Sequence, residues 1–198
     1  MSKSVIVLGT GNAALCAAMA ALENGARVTL LEKADHALAG GNTKYTAGAM
    51  RFAYDGAEDL LPLLRNPDDP RVKTADFGSY TVEKFGEDLL GFNDGRPLSD
   101  EQEALISQSG ETMRWLASHG VKFEPIYSRQ SFEKDGRLVF WGGLTLAAEN
   151  EGVGLFDMEL AAVERMGGTV RYNSAVTGLI TEGDRVTGVS IGDEVLHA

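Results

Sequence analysis

The sequence predicts an α/β fold in which parallel strands are joined through a helix and an antiparallel meander follows near the C-terminus. Three observations predict it. An apolar run at residues 5–8 stops at a glycine cluster and passes directly into an alanine-rich helical stretch. A second apolar run at 28–31 follows that helix, and short alternating segments near the end are separated by the pairs Gly183-Asp184 and Gly192-Asp193.

The run at 5–8 reads as a parallel strand covered on both faces. Gly9, Gly11 and Ala14 then fill the pattern G-x-G-x-x-[GA]. Gly9 suits a backbone angle closed to bulkier residues, Gly11 lets a phosphate touch the main chain, and Ala14 allows close packing of helix on strand. The helix at 12–24 points its free amides at that phosphate and sets Ala13, Ala14, Ala17, Ala18 and Ala21 where a sheet wants small side chains, until Gly25 stops it. The second strand ends on Glu32, about twenty residues past the motif, where a carboxylate can accept hydrogen bonds from both ribose hydroxyls. A glycine-rich turn alone is a weak signal, since such turns also occur without a ligand. Strand, turn, helix, stop, strand and acidic end together make a Rossmann-like dinucleotide-binding unit.

The loop after Glu32 is rich in Gly, Ala and Thr and is a second candidate ligand loop. Gly40, Gly41 and Gly48 permit close backbone approach, and Asn42, Thr43 and Thr46 offer short polar groups. A short helix is expected at 55–64, closed by the turn Asn66-Pro67-Asp68-Asp69-Pro70, and another at 80–90. A longer one starts at Ser99, whose side chain and Gln102 fit a capping box, and runs to Gly120 with Leu105, Ile106, Met113, Leu116 and Ala117 inward. Val121, Phe123 and Ile126 suggest an extended piece, and residues 131–141 a hairpin turning at Asp135-Gly136 and edging a cleft at Trp141, Gly142 and Gly143. Leu155, Met158, Leu160, Val163 and Met166 space a helix at 155–166, which Gly167 and Gly168 end before a strand at 169–173 and the meander. Three parts are expected: 1–51 and 146–198 for the cofactor domain, and 52–145 for a helical segment with a hairpin.

The chain has 198 residues, 43% hydrophobic and 24% charged, enough for one sizeable core or part of a larger one. With 29 acidic against 18 basic residues and a net charge of -11, nucleic acid and anionic membrane surfaces are disfavoured as direct partners. The single cysteine, Cys16, allows no internal disulfide and no cysteine metal cluster, and reads as a small packed residue. His36, His119 and His197 are too scattered to suggest a metal site, so no metal is expected. The first strand starts too early to leave room for a signal peptide and no apolar run approaches membrane-spanning length, which makes the cytoplasm the default location.

These residues resemble the flavoproteins of the fumarate reductase and succinate dehydrogenase group. The strand-turn-helix at the start, the loop GGNTKYTAGAM and the segment SAVTGLITEGDRVTGV are similar to that group's FAD-binding motif, flavin-wrapping loop and meander, and span nearly the whole chain. Within the group, GTGNAALCAA, RFAYDGAEDLL, DFGSYTVEKF and YSRQSFEKDGRLVFWGGL look most like the FAD-dependent tricarballylate dehydrogenases.

The resemblance implies that Gly9, Gly11, Asn12, Ala13 and Ala14 meet the pyrophosphate, that Glu32 holds the adenosine ribose and that Lys33 flanks it. It implies that Gly40, Gly41, Asn42, Thr43, Ala47, Gly48 and Ala49 line the pyrophosphate and isoalloxazine, and that the Val176 backbone bonds the adenine. The competing readings are a solvated side chain for Lys33 and a packed one for Ala47. Asn42 stands where membrane-bound members carry the histidine that attaches FAD, so non-covalent FAD is implied. Members of the group continue into a capping domain that holds their proton-shuttling arginine, so the catalytic residues are expected beyond residue 198 and the fold to be incomplete at the C-terminus.

The implied reaction removes two hydrogens from a polycarboxylate, tricarballylate to cis-aconitate, with an electron-acceptor protein for the reduced flavin. An acidic chain holds such a substrate only with focused cations. Arg51 and Arg129 are the candidates, and a surface salt bridge is the competing reading of each. The alternatives left open are a related FAD enzyme acting on fumarate or succinate, a 3-ketosteroid or a corrinoid precursor, and a non-catalytic dinucleotide-binding module.

Overall fold

The computed structural model describes residues 3–198. In chain order its elements are β1 (Ser4–Leu8), α1 (Asn12–Glu23), β2 (Arg27–Leu31), β3 (Ala49–Met50), α2 (Ala57–Leu60), α3 (Pro70–Thr74), α4 (Val82–Leu90) and α5 (Asp100–Ser118). There follow β4 (Phe123–Pro125), α6 (Tyr127–Gln130), β5 (Ser131–Lys134), β6 (Arg137–Phe140), β7 (Leu146–Ala148), α7 (Glu151–Arg165), β8 (Thr169–Arg171), β9 (Gly178–Glu182), β10 (Arg185–Ile191) and β11 (Glu194–His197). They form two compact units, one from Met1–Thr46 with Gly152–Ala198 and one from Ala47–Glu151.

In the first unit a parallel sheet has the order β1-β2-β8, with Val28 of β2 beside Val5 and Thr29 beside Thr169. The central strand carries the core: Val28, Leu30 and Leu31 are buried. The expectation of a first strand covered on both faces does not hold. β1 is half-buried and Leu8 is exposed, and β1 is an edge strand, hydrogen-bonded to a neighbour on one side alone among the described residues. The meander is present as β11-β10-β9, all antiparallel, with a register shift between Val186 and Gly188.

α1 ends where expected, with Gly25 at a φ of 76° and its amide bonded to the Leu22 carbonyl. Its buried face differs from expectation. Leu15, Ala18 and Met19 are buried while Ala13 and Ala17 are exposed, since the three-and-four spacing that includes Leu15 turns position 17 outward. α7 begins earlier than expected, and its buried face adds Phe156, Glu159 and Ala162 to Leu155, Leu160 and Val163. Met158 and Met166 are only half-buried.

The second unit has a small sheet of order β3-β7-β4 that the sequence did not suggest, and a hairpin β5-β6 that it did. Asp135 and Gly136 turn that hairpin with φ of 51° and 74°, the doubly left-handed geometry of a tight two-residue loop. α5 carries the expected capping box between Ser99 and Gln102. Its inner seam is Ile106, Ser109, Met113 and Leu116, and Leu105 is exposed. Ser109 is tolerated inside because its hydroxyl donates to the Ile106 carbonyl and accepts from the Ala53 amide. The helix expected at 55–64 is split into α2 and a 3-10 turn at Leu61–Leu63, and the proline turn opens a helix of its own. Asp69 caps α3 by accepting from the Arg71 amide, and Pro70 occupies the first helical position, where no N–H is needed.

Among the described residues no helix is long and apolar enough to cross a membrane, and no group of three or more His, Cys, Asp or Glu could hold a metal ion.

Candidate functional site

In the first unit the turn between β1 and α1 places two glycines differently. Gly9 has a φ of 91°, donates its amide to the Leu31 carbonyl at 2.8 Å, and has open space where a Cβ would lie. Gly11 caps α1 without a side chain, and a Cβ there would stand in ordinary contact with the Thr43 hydroxyl at 3.5 Å and the Gly40 carbonyl at 3.7 Å. The Asn12 amide donates to Thr43 Oγ1 at 2.9 Å. The amides of Ala13 and Ala14 lie in the first turn, where a helix offers no acceptor of its own and the dipole is positive.

Thr10, between those glycines, is fully buried and ties the site together. Its hydroxyl donates to Glu32 Oε2 at 2.6 Å and accepts from the Gly40 amide at 3.0 Å. The Ala34 amide donates to Glu32 Oε1 at 2.9 Å. Glu32 is 5% exposed, with each oxygen engaged once and each still able to accept one further donor. Sequence reasoning passed over Thr10; a hydroxyl between two glycines that must turn beside an acidic strand end was the available signal. Ser174 and Asn173 donate to the carbonyls of Glu32 and Ala34, which brings the loop that contains Val176 to the end of β2. Lys33 is exposed and Val176 half-buried.

In the second ligand loop Gly40 has a φ of 107°, and a Cβ there would lie 2.6 Å from the Lys44 side chain. Lys44 donates to the Ala37 carbonyl and sits 5.2 Å over the Phe156 ring. Gly41 and Asn42 are exposed on a 3-10 turn, Gly41–Tyr45, and Thr43 is half-buried below them.

The second unit holds the remaining residues. Gly48 is buried with a φ of 63°, and a Cβ there would stand 2.7 Å from the Glu151 carbonyl carbon, so only glycine fits. Ala47 and Ala49 beside it are half-buried. The two arginines differ. Arg129 makes an exposed ion pair with Glu151 at 3.6 Å. Arg51 also makes an exposed ion pair, with Asp88 Oδ2 at 3.5 Å, and donates from Nη1 to Tyr80 Oη at 2.8 Å, while Tyr80 in turn donates to Asp88 Oδ2 at 2.8 Å. Tyr80 and Asp88 were not singled out by sequence reasoning.

One buried titratable pair belongs to the first unit. Glu159 of α7 is fully buried, its Oε1 accepts from the Cys16 thiol at 3.8 Å, and its Oε2 has no partner. Burial pushes the Glu159 carboxyl up to about 8, against which the thiol contact works only weakly. Burial first, and the nearby carboxylate second, push the Cys16 thiol up to about 12, so it stays protonated and unreactive.

These features fit the dinucleotide implied by the resemblance. A helix start where Gly11 supplies no side-chain cap, with open space over Gly9, suits a pyrophosphate, and a strand-end carboxylate with acceptor capacity left suits a ribose.

Comparison with known proteins agrees. The family described as FAD binding domain matches residues 4–195. The probable fumarate reductase Ifc3 of Shewanella frigidimarina is 28% identical over 195 residues, 98% of this chain and 28% of its own length. Digoxin reductase of Eggerthella lenta is 27% identical over 137 residues, 66% of this chain and 22% of its own. The chain thus spans less than a third of these curated relatives. Among solved structures, a 3-ketosteroid-delta4-(5alpha)-dehydrogenase from Rhodococcus jostii RHA1 shares the fold with a TM-score of 0.65 and 19% identity, over 94% of this chain and 41% of that one. A family match that runs through nearly every described residue, on a turn built for a dinucleotide, means that the chain belongs to the FAD binding domain family and that FAD is its cofactor.

Proposed function

We propose that this chain is the FAD-binding part of an oxidoreductase that dehydrogenates a polycarboxylate, taking tricarballylate to cis-aconitate. What carries the substrate half of the reading is Arg51. Its guanidinium is fixed by Tyr80, while among the described residues neither Nε nor Nη2 has a protein partner, which leaves donors for a carboxylate. Bound FAD supplies the two-electron acceptor for a hydride leaving one carbon.

This chain's residues hold and orient. The amides of Gly11, Ala13 and Ala14 face the pyrophosphate beside Gly9, with Asn12, whose own amide is bonded to Thr43, alongside, and Glu32, braced by Thr10 and Ala34, accepts from the ribose hydroxyls with Lys33 next to it. Gly40, Gly41, Asn42, Thr43, Ala47, Gly48 and Ala49 line the pyrophosphate and the ring system, and the Val176 backbone meets the adenine. An asparagine at position 42 has no ring nitrogen through which FAD could be attached, so the cofactor is held non-covalently. The base that removes the second hydrogen as a proton is assigned to the part of the parent enzyme outside this chain, as is the surface that meets an electron-acceptor protein. A cytoplasmic setting goes with the same reading.

The parent protein is expected to purify yellow and to reduce an artificial acceptor when given tricarballylate, with the rate falling at least about tenfold in Arg51→Gln. A yellow protein inert toward tricarballylate removes the substrate assignment. A second reading, reduction of fumarate, is favoured by the relative that matches 98% of this chain. Oxidation of reduced viologen by fumarate, in a protein that ignores tricarballylate, selects it.

A further inference from the structure

The pattern G-x-G-x-x-[GA] asks for no hydroxyl at its second position, yet Thr10 fills that position in the first unit and is fully buried. Turn and second loop are interlocked there by two threonines of opposite sense. Thr10 of the turn accepts from the Gly40 amide of the loop at 3.0 Å, and Thr43 of the loop accepts from the Asn12 amide at the start of α1 at 2.9 Å. Gly40 is itself held in place. Its φ is 107°, the Lys44 side chain lies close against it, and Lys44 Nζ is tied back to the Ala37 carbonyl.

The Thr10 hydroxyl has one proton, and its two neighbours decide where it goes. The Gly40 amide can only donate, so a lone pair faces the loop and the proton is directed to Glu32 Oε2 at 2.6 Å. Amide, hydroxyl and carboxylate form one directed chain in which each bond polarises the next. With the Ala34 amide on Oε1, the carboxylate is pinned at both oxygens and keeps one acceptor site on each. Were the loop to swing away, Thr10 would lose the donor that orients it, and the grip on Oε2 would slacken.

We propose that Thr10 is a positioning residue that couples the second loop to ribose recognition: Glu32 is set for a ribose with both hydroxyls free only while the loop at 40–45 stands closed on the turn. A nucleotide that lacks one hydroxyl then meets a carboxylate that cannot re-aim, and one acceptor site is left unpaired. Discrimination therefore depends on a loop that makes no hydrogen bond to the Glu32 side chain among the described residues. The inference rests on the reading of Glu32 as the ribose ligand and goes beyond it by making the loop part of that specificity.

The test uses the full-length parent protein stripped of its flavin, with ADP and 2′-deoxy-ADP competing against the rebinding of FAD, followed by flavin fluorescence. The wild-type protein is expected to prefer ADP by at least about tenfold, as one hydrogen bond to a charged group requires. Thr10→Val, which keeps the shape and removes the hydroxyl, should lower that preference to about twofold or less, and Thr10→Ser should retain it. Thr43→Val, which releases the other pin of the loop, should lower it at least about threefold. The preference compares two ligands on one folded protein, so a loss of stability common to both cancels. A preference unchanged in Thr10→Val, lost equally in Thr10→Ser, or unchanged in Thr43→Val overturns the proposal and leaves Glu32 as the ribose ligand. Equal binding of the two nucleotides by the wild-type protein, or binding of neither, removes the ribose reading and the proposal together.

Discussion

Replacing Glu159 by glutamine is expected to stabilise the protein, increasingly so as pH rises. The carboxyl has an ordinary value of 4.5 and is pushed up to about 8 by burial, so the folded chain holds a proton that the unfolded chain releases. Below pH 4.5 both states are protonated and the group does not oppose folding. Between about pH 4.5 and 8 each further unit costs about 1.36 kcal/mol, a penalty of about 3 kcal/mol at pH 7 and about 5 kcal/mol once the folded carboxyl itself ionises. Glutamine has nearly the same shape, can accept from the Cys16 thiol as Glu159 Oε1 does, and carries no charge at any pH. The assay is urea unfolding of both proteins at fixed FAD concentration, from pH 5 to pH 8.5. The stability difference should be small at pH 5, about 3 kcal/mol in favour of Glu159→Gln at pH 7, and level off above pH 8. A pH-independent difference, or a variant less stable at pH 7, would mean that the carboxylate is ionised in the fold and has a partner.

Three further outcomes follow from the geometry. Glu32→Ala in the parent enzyme should lose FAD on dialysis, since two charge-assisted bonds of about 1.5–3 kcal/mol each disappear; unchanged occupancy refutes the ribose assignment. Gly48→Ala should destabilise the fold by more than about 2 kcal/mol in denaturant titration, because the φ of 63° and the Glu151 backbone 2.7 Å away both oppose a methyl group; a wild-type midpoint refutes the close approach. Acid precipitation of the yellow protein should leave the flavin in the supernatant, and colour that stays in the pellet shows a covalent link.

What the sequence made legible was whatever local chemistry dictates. The glycine turn, the stop at Gly25, the Ser99 capping box and the Asp135-Gly136 hairpin each depend on residues within a few positions of one another, and all four stand as read. The sheet β3-β7-β4 was not legible because its strands run for two or three residues, too short for any alternation to appear. Proline after Asp69 read as a turn, although the same pair opens a helix when the aspartate turns inward to cap it. The position of Glu159 was available: it lies four residues after Leu155 and three after Phe156, on the apolar face, and was passed over because a charged residue does not mark a helical stripe. Thr10 and Tyr80 act through partners 22 and 29 residues away in the chain, which no local pattern records.

The division of the chain sets an order for its birth. β2 must find β8, yet Thr29 pairs with Thr169, and everything in the second unit is made in between. At about 5–20 residues per second, β2 waits roughly 7 to 28 s on the ribosome for that edge. The second unit is one continuous stretch and closes its own contacts within that interval. During it the buried side chains Val28, Leu30 and Leu31 lack the strand that will flank them, which makes this segment the natural client of a chaperone and the place where slowed translation turns into aggregation.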